Sequence, residues 1–136
     1  TMHVETLIRP ALDAGKIVIS DRFTDSTRAY QSYGHGLDLA VIEGINRIAL
    51  EDFKPDLTFI LDLPVETGLE RAGRRLKRLE SAEDRFEQLD LTFHQRMRQG
   101  FLDIAKHESE RCLVVDATRS VDDVAAEIKK SVLGRL

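Results

Sequence analysis

The chain is poor in the features that most quickly assign a class. A single cysteine, Cys112, stands among 136 residues, so no internal disulfide can form and the composition suits a reducing cytoplasm. Cys112 opens an apolar run and reads as an inert, buried thiol. No apolar run exceeds strand length, far short of the ~20 residues a membrane helix needs. No charged-then-apolar leader pattern is legible. The net charge of -4 is mild, which argues against a nucleic-acid surface. His3, His35, His94 and His107 lack metal-ligand spacing, no Ser-His-Asp order is recognisable, and no paired carboxylates stand out. The sequence also has no Gly-x-x-x-x-Gly-Lys-Ser/Thr, the segment that cradles nucleotide phosphates. Gly34-His35-Gly36 lacks the lysine and does not replace it.

What is present alternates strand and helix. Val4, Leu7, Ile8, Ala11 and Leu12 recur at helical spacing before Gly15. Lys16 to Ser20, with Ile17-Val18-Ile19 at its centre, predicts a strand buried on both faces. Ser26 to Tyr33 predict a short helix broken at Gly34. Asp38 is placed to cap a helix whose apolar face is Val41, Ile42, Ile45, Ile48 and Ala49. Leu57 to Leu63 predict a second strand, Val65 to about Leu79 a helix, and Ser81 to Glu83 a mobile polar link. Asp90 is expected to cap a helix carrying Phe93, Met97, Phe101 and Ile104, and Leu113 to Val115 predict a third strand. Ser120 to Asp123 resemble a capping box before Val121, Val124, Ala125, Ile128 and Val132, which are expected to face a core. Strands alternating with helices predict an α/β fold with a thin parallel sheet.

Three segments carry chemistry. Asp21-Arg22 follow the first predicted strand, at the edge where open α/β sheets bind ligands. The Arg22 fork suits phosphate oxygens, and Asp21 can hold Mg2+ through water; a structural ion pair is the plainer reading. Ser26, Thr27, Tyr30 and Gln31 come next. On a helix, Thr27, Tyr30 and Gln31 share a face and can read a pyrimidine edge and pack on a sugar, or simply form a polar helix start. Finally, Arg71, Arg74, Arg75 and Arg78 line one face of the predicted helix Val65 to about Leu79, with Lys77 and Arg85 extending the charge. Like charges at this spacing repel unless answered. A solvated face and a mobile basic flap over phosphates both fit. Asp62, in Leu61-Asp62-Leu63-Pro64, is either a second acidic group near Mg2+ or a turn-forming residue.

Asp21-Arg22-Phe23 through Ala29-Tyr30-Gln31, then Gly34-His35-Gly36, resembles the Asp-Arg motif and following helix of bacterial thymidylate kinases. Pro55-Asp56-Leu57-Thr58 with Leu61-Asp62-Leu63-Pro64 is similar to the family's next strand. Gly68 to Ala72 and Asp84 to Glu87 are similar to the ends of its lid, and Val114 to Ala117 to its last strand. The resemblance spans the whole chain in the family's order. It implies a P-loop kinase fold, three-layered around a five-stranded parallel sheet ordered 2-3-1-4-5. Three of those strands would lie here, and the central P-loop strand would be missing. Residues 1–136 would then be a partial nucleoside monophosphate kinase domain with a lid at about 71–87.

The resemblance further implies transfer of the γ-phosphate of Mg-ATP to dTMP, giving dTDP, in a cytoplasmic homodimer that uses neither nucleic acid nor membrane. It makes Arg22, Asp21, Arg75 and Arg85 the catalytic group. Arg22, Ser26, Thr27, Tyr30 and Gln31 would hold dTMP, and Arg71, Arg75 and Arg85 the ATP phosphates. No residue would ligate the metal directly, Asp21 approaching Mg2+ through water. The loop after Asp116-Ala117 would lie near adenine. Gly73 departs from the pattern where an arginine is common. The chain opens on Thr1 inside an amphipathic pattern, and His3 matches a family histidine just past an arginine that reads thymine. It therefore reads as the C-terminal two-thirds of a kinase, inactive and poorly stable alone. The alternatives are another (deoxy)nucleotide kinase, or a non-catalytic module whose basic helix binds an acidic partner or nucleic acid.

Overall fold

A computed structural model describes residues 2–51, 53–79 and 91–135, with side chains throughout except over 75–79. The expected cap at Asp90 and the link Ser81 to Glu83 lie outside the described residues. The chain divides into two compact units, Thr1–Lys54 and Pro55–Leu136.

In the first unit, α1 begins as a π-helical stretch, Val4–Ile8, and continues as α-helix over Arg9–Asp13. Gly15 ends it at φ 72°, where Gly15 N donates to Leu12 O and Lys16 N to Ala11 O. A Cβ is costly in that left-handed conformation, so glycine suits the stop. Helix α2 pairs an α-helical turn, Thr24–Thr27, with a π-helical stretch, Arg28–Gly34. Helix α3 spans Leu39–Leu50, and Asp38 caps it as expected, its carboxylate accepting from Ala40 N at 2.8 Å. Arg28 joins α2 to α3: its guanidinium lies 3.5 Å from Asp25 and donates to Glu43 at 2.9 Å. Asp25 is only 4% exposed, and a carboxylate so buried needs that cation.

The predicted strand Lys16 to Ser20 is not a strand. The segment is extended, yet it joins no ladder, and Ile17 and Ile19 are 71% and 92% exposed. An apolar run sets a preference for extended backbone, but a strand also needs a neighbour to take its amides and carbonyls. The helix stripes are likewise only partly covered. Val4, Ile8 and Ile42 are buried, whereas Leu7, Leu12, Val41, Ile45 and Ile48 are exposed.

The second unit is built on a parallel pair, β1 (Thr58–Asp62) and β2 (Cys112–Asp116), in the register Thr58 with Cys112 through Asp62 with Asp116. These two strands are the whole sheet among the described residues, where three were expected. Between them run α4 (Val65–Leu79) and α5 (Leu91–His107), and α6 (Val121–Leu133) comes after β2. The intervening helices supply the long crossover a parallel pair demands. Helix α5 packs on both strands, burying Phe93, Gly100, Ile104 and Ala105 against a core that includes Ile60, Cys112 and Val115.

Ser120 caps α6 by accepting from Asp123 N at 3.1 Å, while its hydroxyl donates to the Asp123 carboxylate at 2.6 Å. The box therefore closes on the hydroxyl, with aspartate in place of the longer glutamate. Of the α6 stripe, Val124, Ile128 and Val132 are half-buried, whereas Val121 and Ala125 are exposed.

Candidate active site

Arg22 stands just past the extended segment, in the left-handed region at φ 68°. A side chain there costs about 1–2 kcal/mol, and such strain collects at ligand sites. Ser20 steadies the bend, its hydroxyl donating to Arg22 O at 2.9 Å. The Arg22 guanidinium then lies over the Tyr30 ring, 5.4 Å from its centroid, within cation–π range. Behind it, Phe23 meets Phe53 edge-on at 6.2 Å, and Arg9 covers the same Phe53 ring at 4.9 Å. Asp21, Arg22, Thr27 and Gln31 are exposed, while Ser26 and Tyr30 are half-buried. This is a polar surface with one aromatic wall and one fixed cation.

The π-helical stretch shapes that surface. His35 N donates to Tyr30 O, Leu37 N to Gln31 O and Gly36 N to Ser32 O, with Gly36 at φ 77°. The wider turn alters the face expected for α-helical spacing of Thr27, Tyr30 and Gln31. π-bulges of this kind often mark functional positions.

A second polar cluster sits where β1 and β2 end. Asp62 and Asp116 are partners in the register, so two carboxylates leave the sheet side by side. Arg98 of α5 answers the first in a bidentate pair, donating to the two Asp62 oxygens at 2.7 and 2.9 Å. That bond, outweighing desolvation and the Asp116 charge, holds the Asp62 carboxyl below its ordinary value. Asp116 instead accepts from the Thr118 hydroxyl at 2.6 Å and the Thr118 amide at 2.9 Å, which lowers its pKa as well. The loop beyond is pinned from α4, where Arg71 donates to Ala117 O at 2.8 Å and to Thr118 O at 3.4 Å. Arg119 donates to Asp116 O and pairs with Glu127.

The sequence model of the family described as "Thymidylate kinase" matches residues 1–128. The thymidylate kinase of Trichlorobacter lovleyi is 49% identical over 135 residues, covering 98% of this chain and 64% of that protein. The thymidylate kinase of Desulfovibrio desulfuricans is 46% identical over 132 residues, 96% of this chain and 61% of that one. The crystal structure of thymidylate kinase from Ehrlichia chaffeensis is similar with a TM-score of 0.70 at 36% identity, covering 96% of this chain and 57% of that one. This chain belongs to the thymidylate kinase family. It spans less than two thirds of the length of each of these relatives. Its α/β parallel fold is that of the thymidylate kinase neighbour, with two strands paired among the described residues.

Within this member of the thymidylate kinase family, the expected dTMP residues divide clearly. Arg22 and Tyr30 are brought together, and Ser26, Thr27 and Gln31 lie on the same helix, α2. The side chain of Arg75 and all of Arg85 lie outside the described residues. Arg71 is placed against the Ala117–Thr118 carbonyls, and Arg74 pairs with Glu70, so two arginines of the basic face have partners within the unit. Asp62 proves to be the acceptor of an arginine fork. Arg98 and Thr118 were missed from sequence. Arg98 lies 36 residues from its acceptor, with no local pattern to betray it. Among the described residues no helix is long and apolar enough to cross a membrane, and no group of three or more His, Cys, Asp or Glu could hold a metal.

Proposed function

We propose that this chain carries the acceptor side and the lid of a cytoplasmic thymidylate kinase, which transfers the γ-phosphate of ATP to dTMP and yields dTDP and ADP. The observation that carries this reading is Arg22. A strained backbone holds its guanidinium against Tyr30, beside the polar face of α2, and that pairs an anion site with a planar wall. In this reading Arg22 binds the dTMP phosphate, Ser26, Thr27 and Gln31 meet the nucleoside, and Tyr30 packs on the deoxyribose. Arg71, Arg75 and Arg85 serve the ATP side, within a lid at about 71–87 of one partial nucleoside monophosphate kinase domain, residues 1–136. Arg22, Asp21, Arg75 and Arg85 are the residues assigned to catalysis in this reading.

Phosphoryl transfer depends on positioning and charge stabilisation, which arginines supply. Mg2+ would come with ATP and neutralise phosphate charge. Asp21 is an exposed carboxylate, and hard oxygen donors of that type suit the ion through its water shell. The exposed stripe Val41, Ile45 and Ile48 on α3 supports a homodimer. The basic-module alternative is weakened by the internal partners of Arg71 and Arg74.

The test is a coupled assay of the complete gene product with ATP against dTMP, dUMP, dCMP and dAMP. The expected result is a preference for dTMP, and a loss of about 100-fold or more in kcat/KM for Arg22→Ala. Preference for another acceptor, or no transfer to any of them, overturns the reading.

A further inference from the structure

The cluster at the ends of β1 and β2 is more tightly built than a surface turn requires. Asp62 is its hub. Its carboxylate takes both arms of the Arg98 fork, and its backbone carbonyl accepts from Ala117 N at 2.8 Å. The next peptide groups are held in turn. Ala117 O and Thr118 O accept from Arg71, Thr118 N donates to the Asp116 carboxylate, and Asp116 O accepts from Arg119. Side chains from α4, β2 and the loop itself thus fix the backbone from Asp116 to Thr118. Thr118 and Arg119 are exposed and bury little apolar surface in return. Burial alone does not explain so many constraints on an exposed loop.

Arg98 is the member that makes the others compatible. Asp62 and Asp116 are register partners, and two adjacent carboxylates repel. With the Arg98 fork on Asp62, that charge is answered from α5, and the Asp116 oxygen is left to Thr118. We propose that Arg98 is a positioning residue: acting through Asp62, it sets the Ala117–Thr118 loop and the Arg71 guanidinium as one preformed edge for an adenine nucleotide. This rests on the kinase reading for the identity of the nucleotide, but not for the setting of the loop.

The experiment compares Arg98→Gln, Arg98→Lys and Asp62→Asn with a control, Arg111→Gln, in the complete gene product. Arg111 makes a similar contact at the other end of the same strands, donating to Glu108 at 2.7 Å and to Thr58 Oγ1 at 3.0 Å. A merely structural role for Arg98 would lower stability, as the control does, and leave substrate affinities alone.

The expected result for Arg98→Gln is a rise of about tenfold in KM for ATP, with KM for dTMP and kcat within about twofold, and little or no change for Arg111→Gln. Arg98→Lys keeps the charge, loses the fork and should recover only part of the ATP affinity. The double variant with Asp62→Asn should be no worse than either single, because the two act as one unit. Hydrogen exchange in the nucleotide-free protein gives a second readout: the Ala117 and Thr118 amides should lose protection in Arg98→Gln but keep it in Arg111→Gln. Unchanged loop amides in a folded Arg98 variant overturn the positioning role. Loosened amides with unchanged KM for ATP overturn the link to the nucleotide. If the wild type phosphorylates no mononucleotide, the kinase reading falls with the nucleotide half of this one, and the amides alone decide the positioning half.

Discussion

The two ends of the β1–β2 pair use the same residue type for different purposes. At the start of the strands, Arg111 reaches Glu108, three residues away, and Thr58 Oγ1, while Thr58 N donates to Arg111 O. Arg111 thus ties a local turn to the neighbouring strand, and its side chain is well covered. At the finish, Arg98 reaches across from α5 to Asp62, and its side chain is 39% exposed. Beyond Asp116 the chain enters an exposed loop whose backbone groups are tied by side chains. One arginine fastens a core, and the other arranges a surface. An arginine–carboxylate pair is therefore best interpreted by what lies beyond it as well as by its own geometry.

Four measurements test this contrast. Val115, only 1% exposed, sits on β2 between the two ends. Val115→Ala should cost about 2–3 kcal/mol through the cavity it leaves, and should loosen the Thr58 and Ala117 amides alike in hydrogen exchange. Protection kept at one end would mean that the ends do not share a core. Arg111→Gln should cost about 2 kcal/mol in thermal or denaturant unfolding, with the effect confined to the start of the strands. A loosened Ala117 amide in that variant would erase the distinction.

Asp62→Asn should cost less, about 1 kcal/mol, because solvent already screens the exposed Arg98. Its larger signature should be local, at Ala117 and Thr118. A loss matching that of Arg111→Gln, spread over both strands, would make Arg98 a core fastener after all.

The smallest effect is on pH. The Arg98 hydrogen bond lowers the Asp62 pKa from its ordinary 3.8, so its contribution to stability is complete above 3.8. It is lost as pH falls through the lower, folded value, when the carboxylate takes a proton. Asp116, lowered by Thr118, has the same sign. Acid unfolding of Asp62→Asn should therefore show a shallower slope below pH 3.8 than the parent chain. An unchanged slope would remove Asp62 from the acid-sensitive set.

Much of the second unit was legible from sequence because its signals are local. The apolar runs at Leu57 to Leu63 and Leu113 to Val115 contain β1 and the centre of β2, and α4 spans the predicted Val65 to Leu79. The caps at Asp38 and Ser120 arise from side chains that reach only two or three residues. The run at Ile17 to Ile19 looked no different, yet a ladder is a property of two segments, and one segment cannot announce it. The π-helical pitch of α2 was illegible, since its residues are ordinary helix or turn formers. The acceptor site was legible in its residues, Arg22 and Tyr30 above all, but not in the left-handed backbone that joins them. Arg98 escaped notice because its role lies entirely in a tertiary contact.

That left-handed backbone has a consequence for how this chain would evolve. At φ 68°, glycine in place of Arg22 would relieve strain rather than add it. A population selected for thermal robustness alone would therefore tend to exchange this arginine for glycine, or for asparagine, which tolerates the same conformation. Only selection that rewards the guanidinium itself would hold arginine in place. A library sorted first for folding and then for phosphoryl transfer should thus diverge sharply at position 22, with opposite winners in the two sorts.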